Sequence, residues 1–216
     1  HALVRRQRQM CIRDRTGDGS TGSLIVNHKD INKIAFTGST QVGKLIQKSL
    51  AGREVGLTLE LGGKAANIVY EDAAIDQAVE GVVNGIFFNQ GHVCCAGSRL
   101  LLQESIHDQF ISKLEKRMQS LRVGNPLDKN TDIGAINSKE QLDKITNLVN
   151  EGLEDGGELF QTQCDLPGNG FWFRPTLFTN VQPSYSIARE EIFGPVLTTL
   201  TFRTPEEAVE IANNTE

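Results

Sequence analysis

Two neighbouring cysteines, Cys94 and Cys95, follow a break in the chain at Asn89, Gln90 and Gly91, in the run FFNQGHVCCAGSR. A cysteine behind a helix and a glycine turn can act as a nucleophile when backbone dipoles or a nearby base favour its thiolate. The bland alternative is inert packing, and it fits at least one of the pair. His92 suggests a Cys–His hydrolase, but it stands two residues from Cys94, whereas such pairs meet across a fold and not along a loop. A second ionisable group, Glu60, lies in LELGGK, inside an apolar strand and just before Gly62 and Gly63. Flanking leucines would desolvate its carboxylate and suit it to general-base work. A half-exposed strand would instead turn it to solvent.

Two further constellations surround ligand-binding turns. In FTGSTQVG the chain passes from a strand through Gly38, Ser39 and Thr40 into a helix that contains Gly43. Free N–H groups at such a helix start attract phosphate, although Gly38 can equally be a plain turn and Ser39 or Thr40 a helix cap. The run lacks both GxGxxG and GxxxxGK[ST]. In REEIFGPV, Glu191 and Phe193 lead into a strand, where a carboxylate and a ring can hold a ribose and cover a nicotinamide; Glu190 and Glu191 also read as surface residues.

The elements that must position these groups alternate between strand and helix. Strands are expected at residues 34–37, 56–61, 67–70 and 99–103, with further extended runs at 171–181 and 195–202. Helices are expected from the apolar stripe Val42, Leu45, Ile46 and Leu50, from Ile75 to about Phe88, over 105–121, over 139–151, and after Thr204, where Pro205 and Glu207 complete a capping box. This α/β alternation predicts largely parallel sheets with ligands beyond the carboxyl ends of the strands.

Composition bounds the function. The 216 residues, 38% apolar and 23% charged, suit a soluble globular protein able to bury a sizeable core. A net charge of -5 without a sustained basic face argues against nucleic acid, and no run is long and apolar enough for a membrane helix. Cys11, Cys94, Cys95 and Cys164 show no CxxC spacing, so neither a disulfide framework nor a metal site is expected, and a reduced cytoplasmic or other soluble intracellular compartment fits. Residues 1–15 stand apart: five arginines crowd residues 4–15. A translated cloning junction is the first reading of this leader, ahead of a solvated tail or an RNA-binding arm.

Taken together, LELGGK, NQGHVCCAGSR, EEIFGPV and FTGST closely resemble the aldehyde dehydrogenase superfamily, over roughly residues 16–216. The resemblance implies an aldehyde dehydrogenase-like α/β fold: residues 16–61 ending a Rossmann-type dinucleotide-binding domain, and 62–216 forming most of the α/β catalytic domain. It implies Cys94, three positions after Gly91, as nucleophile and Glu60 as base. Gly38, Ser39, Thr40, Gly43 and Leu61 would lie by the cofactor, NAD or NADP, with Glu191 and Phe193 at its ribose and nicotinamide side. The implied reaction is oxidation of a small-molecule aldehyde to an acid through a thiohemiacetal and a thioester, in a homo-oligomeric (dimeric or tetrameric) parent. His92 departs from the family, which usually has glutamine or glutamate after this glycine. Segments completing the adenosine site, the oxyanion hole and the oligomer contacts are expected outside the chain, which is therefore read as part of an enzyme and inactive alone. An inactive scaffold and a CoA-acylating enzyme are the alternatives; the retained glutamate favours hydrolysis.

Overall fold

A computed structural model describes residues 12–215. The leader assigned to residues 1–15 thus lies outside the described residues up to Cys11, and residues 12–18 carry no helix or strand. The chain divides into two compact units, His1–Gly62 and Gly63–Glu216.

The first unit begins with α1 (Gly19–Asn27), an element the apolar pattern does not announce. Its signal is polar: the Asp18 carboxylate accepts from Ser20 N at 2.9 Å and Thr21 N at 3.4 Å, satisfying N–H groups that the first turn cannot pair internally. Strand β1 (Lys33–Gly38), helix α2 (Thr40–Leu50) and strand β2 (Gly56–Leu61) follow, the strands pairing in parallel from Lys33↔Gly56 to Gly38↔Leu61. Of the expected stripe on α2, only Ile46 and Leu50 are buried, joined by Gly43, while Val42 and Leu45 are exposed. The reason is close approach: a Cβ on Gly43 would come within 2.6 Å of Leu61 Cδ2, so the helix rests on β2 through its glycine. Arg53 ties this unit together by donating to the carbonyls of Val26 and His28.

The second unit is a five-stranded sheet of β3 (Ala66–Val69), β4 (Arg99–Gln103), β5 (Glu158–Gln161), β6 (Thr176–Thr179) and β7 (Val196–Phe202), in the order β3-β4-β7-β6-β5. Its pairs are parallel except β5 with β6. The expected α/β alternation with largely parallel sheets is therefore present. Its differences from expectation are local. β5 is an additional strand, and the extended run expected over 171–181 contributes only the four residues of β6. The helix expected over 105–121 is a 3-10 turn (Glu104–Ile106) followed by α4 (His107–Met118).

Helix α3 (Ile75–Phe87) packs Val79, Val82, Val83 and Ile86 against Phe110, Leu114 and Met118 of α4 beneath the sheet. Helix α5 (Lys139–Glu154), capped by Ser138, buries Ile145, Leu148 and Val149 with Phe178 of β6 and Ile187 of the short helix α6 (Ser186–Arg189). Helix α7 (Pro205–Asn213) covers the other side of β7 through Ala208, packed with Leu101, Leu200 and Phe202. Its N-cap is the expected Thr204, whose Oγ1 accepts from Glu207 N at 3.3 Å; the reciprocal bond reaches one residue further back than in a standard box, from Arg203 N to Glu207 Oε2 at 2.7 Å.

At the other end of α7 the buried Arg99 guanidinium donates to the carbonyls of Ile211 at 2.9 Å and Ala212 at 2.8 Å. A cation suits the carbonyl end of a helix, and the guanidinium supplies both bonds while adding its charge. Arg99→Met should therefore fray α7 and cost roughly 2–3 kcal/mol, to be read from urea unfolding and from faster hydrogen exchange confined to residues 205–214.

Candidate active site

The sequence motifs sit at opposite ends of the strands in the two units. In the first unit Gly38, Glu60 and Leu61 lie at the carboxyl ends of β1 and β2, where the expectation placed ligands. In the second unit the expectation is reversed: the cysteine segment enters β4 and the EEIFGPV segment enters β7, both at amino ends. The cause is topological. β4 and β7 are parallel neighbours, with Arg99 opposite Thr198, and Thr198 N donates to Ser98 O at 3.0 Å. Loops that precede both strands are thereby brought to one edge, although about a hundred residues separate them.

After α3 the backbone turns left-handed at Asn89 (φ 49°), Gln90 (φ 48°) and Gly91 (φ 76°). Gly91 is buried, and a Cβ there would overlap the Gly194 carbonyl and come within 3.0 Å of Pro195 N. Gly194 is equally confined on its other side, where a Cβ would meet Ile145 Cδ1 of α5 at 2.5 Å. Two glycine backbones thus press together between the cysteine turn and the core. Asn89 Nδ2 donates to His92 O at 3.1 Å, and the His92 ring stacks on Phe193, with centroids 5.2 Å apart and planes 14° from parallel. His92 is part-buried, and that burial lowers its pKa, which keeps the ring neutral at pH 7.

Cys94 and Cys95 occupy the middle of a turn closed by Ala96 N donating to Val93 O at 3.0 Å. Both cysteines are free and exposed. Among the described residues, no protein group accepts the Cys94 N–H. A nucleophilic sulfur beside an unclaimed N–H is what attack on a carbonyl requires, because the developing oxyanion needs a donor. Cys164, the third free cysteine among the described residues, is half-buried and packs against the core cluster.

Phe193 also has positive φ (54°), a costly state for a residue with a side chain. Two residues invisible to motif reading hold it there: Gln141 Nε2 donates to the carbonyls of Ile192 at 2.8 Å and Phe193 at 3.0 Å, and Lys144 Nζ to Glu191 O at 2.7 Å. The only sequence trace of this clamp is that 141 and 144 share a polar flank of α5. Glu191 is half-buried, so it is less exposed than a surface reading implies, whereas Glu190 is exposed.

In the first unit, Ser39 is the N-cap of α2, its Oγ accepting from Val42 N at 3.3 Å, which meets the helix-cap reading. Gly43 N donates to Ser39 O. The cap leaves the N–H groups of Thr40 and Gln41 without intrahelical acceptors, and Gly38, Ser39 and Thr40 are all exposed, so this helix start still fits a pyrophosphate. Gly43 itself faces inward, onto Leu61. Glu60 is exposed on the face of β2 opposite Leu57, Leu59 and Leu61, which corrects the expectation that the flanking leucines take its carboxylate out of water. The alternation of side chains along a strand turns it away from them.

The last residue of LELGGK, Lys64, is buried in the second unit, and its Nζ has no hydrogen-bond partner among the described residues. Burial first, then the charge of Arg99, bring its pKa down to about 7, against an upward pull from Glu191 and with a smaller downward push from Lys144. Among the described residues no three His, Cys, Asp or Glu side chains converge as metal ligands, and no helix is long and apolar enough to cross a membrane.

A family model described as the aldehyde dehydrogenase family matches residues 14–216. Retinal dehydrogenase 2 of Taeniopygia guttata is 47% identical over 197 residues, covering 90% of this chain and 38% of that protein. An aldehyde dehydrogenase of Emericella nidulans is 46% identical over 204 residues, or 93% of this chain and 41% of that one. Among solved structures, betaine aldehyde dehydrogenase from Staphylococcus aureus in complex with NAD+ matches with a TM-score of 0.88 at 36% identity, over 92% of this chain and 40% of that chain. The NAD-dependent aldehyde dehydrogenase from Sinorhizobium meliloti matches at 0.89 and 39% identity, over 97% and 43%. The chain therefore spans about two fifths of the length of the relatives it matches.

Two outcomes are expected from this geometry. Gly91→Ala places a methyl group on the Gly194 carbonyl at a left-handed backbone position and should cost about 2–4 kcal/mol in chemical denaturation; Gly63→Ala, with open space around it, serves as the control. Lys64 binds a proton in the unfolded chain at pH values where the folded chain has released it. Its burial penalty is therefore full below about pH 7 and relieved as pH rises toward the unfolded value near 10.5. Lys64→Met should raise stability near pH 7, by on the order of 5 kcal/mol at most, and flatten the rise between pH 7 and 10 in thermal melts.

Proposed function

The chain belongs to the aldehyde dehydrogenase family, and from that premise we propose that the protein carrying it oxidises an aldehyde to a carboxylic acid with NAD+ or NADP+, using Cys94 as nucleophile and Glu60 as general base. In this reading the first unit ends the dinucleotide-binding domain and the second is most of the catalytic domain. The observation that carries the proposal is the Cys94 turn: an exposed thiol with an unclaimed N–H, held through Gly91 against the segment that contains Glu191 and Phe193.

The Cys94 sulfur attacks the carbonyl carbon, forming a C–S bond and an oxyanion that accepts from the Cys94 N–H. A bound dinucleotide would supply the acceptor for the hydride on that carbon, and its loss leaves a thioester on Cys94. Glu60 removes a proton from water as it attacks the thioester; the C–S bond breaks, the acid leaves and the thiolate returns. Gly38, Ser39 and Thr40, with the N–H groups that open α2, would hold the pyrophosphate, and Gly43 lets that helix approach Leu61. Glu191 would bind the nicotinamide ribose and Phe193 would cover the ring.

Relatives named for retinal and for betaine aldehyde differ in the size and charge of those aldehydes, so the proposal names the reaction and not the aldehyde. A homo-oligomer, dimeric or tetrameric, and a soluble intracellular compartment complete the reading.

With a panel of aldehydes, reduced dinucleotide formation should fall about a thousandfold in Cys94→Ser and little in Cys95→Ser. Glu60→Gln should release one equivalent of reduced dinucleotide per site in a burst and then turn over on the order of 100-fold more slowly. Full steady-state activity in Cys94→Ser would refute the mechanism; rapid turnover of Glu60→Gln only with an added thiol would point to acyl transfer to a thiol in place of hydrolysis.

A further inference from the structure

We propose that His92 is a positioning residue for Phe193, fixing the plane of the aromatic face presented to the nicotinamide end of the dinucleotide. The inference rests on the function proposed above for Phe193.

The backbone of Phe193 is already immobilised. Gln141 binds its carbonyl and that of Ile192, Gly194 is wedged between Gly91 and Ile145, and φ is held at 54°. None of these contacts sets the direction of the ring. That is done by the near-parallel His92 imidazole at 5.2 Å and 14°. His92 is itself tied down at three points, two on its backbone and one on its ring. His92 N donates to Asn89 O at 3.0 Å, His92 O accepts from Asn89 Nδ2 at 3.1 Å, and the ring Nδ1 lies 3.5 Å from Gln90 Nε2. The other ring nitrogen, Nε2, is buried without a partner among the described residues, an arrangement in which packing decides the ring's place more than hydrogen bonding does.

A ring has two faces. With one covered by His92, Phe193 can offer only the other, at one fixed tilt. The stacked histidine is a rigid aromatic support, and a rigid support lowers the ordering cost of binding a ligand against it.

The test compares His92→Ala, His92→Phe and the unaltered whole protein. In His92→Ala the KM for the dinucleotide should rise about three- to tenfold, the size of one aromatic pair, with kcat changed less than about twofold. His92→Phe, which keeps a flat partner, should restore KM. A second readout needs no turnover: without dinucleotide, hydrogen exchange in peptides spanning residues 190–196 should accelerate in His92→Ala and return to normal in His92→Phe. Unchanged KM and unchanged exchange in a folded His92→Ala would overturn the proposal, and so would a His92→Phe variant that folds but behaves like His92→Ala. Accelerated exchange with unchanged dinucleotide KM would overturn its functional half. Failure of the underlying reading looks different, because Cys94→Ser would then keep its activity whatever the His92 variants do.

Discussion

The second unit depends on one steric condition: at Gly91 and Gly194 two stretches of main chain touch with no room for a side chain between them. That contact converts a loop that would otherwise be free into one pinned to the sheet. It fixes where α3 must end, because the left-handed residues Asn89, Gln90 and Gly91 can follow no helical path. It also determines where β7 begins, since Pro195 and Val196 continue directly from the contact. Cys94 inherits its place from this arrangement, being three residues past one side of it. The surrounding bonds from Gln141 and Lys144 and the His92–Phe193 stack hold the same junction from α5 and from the loop itself.

Much of this was readable before any coordinates. Thr204 and Pro205 mark the start of α7, and the helix expected over 139–151 is α5. The motifs themselves pointed to Cys94 and to the Glu191–Phe193 turn. What the residues could not disclose were relationships of strand order. Nothing in FFNQGHVCCAGSR or EEIFGPV says that β4 and β7 are neighbours, and without that fact the two loops have no reason to meet, nor to meet at amino ends. Helix α2 illustrates a second limit: four apolar residues suggested its inner face, yet a glycine displaced Val42 and Leu45 from it, because closeness to Leu61 mattered more than hydrophobicity. Helix α1 escaped detection since its start is specified by one carboxylate, Asp18, and it buries only Val26.

Charge in the second unit is arranged with similar economy. Arg99 is buried because the final carbonyls of α7 need a donor, and its strand lies where the cysteine loop ends. Lys64 is buried beside it, its Nζ without a hydrogen-bond partner among the described residues, at a cost that packing must offset. Glu191 moderates that cost electrostatically, so Lys64 and the EEIFGPV segment are coupled through charge. A carboxylate assigned to a ribose in the proposed reaction is thus one that the fold already uses.

The central claim is that this junction selects Cys94, and not its neighbour Cys95, which is also exposed, as the nucleophile. Acylation by an activated aryl ester, quenched early and followed by peptide mapping, tests it directly, since ester transfer needs the thiol and its oxyanion donor but no dinucleotide. The account predicts an acyl group on Cys94 that appears well before any on Cys95, a preference lost when the protein is unfolded in urea. Acylation of Cys95 at an equal or greater rate in the folded protein would contradict it.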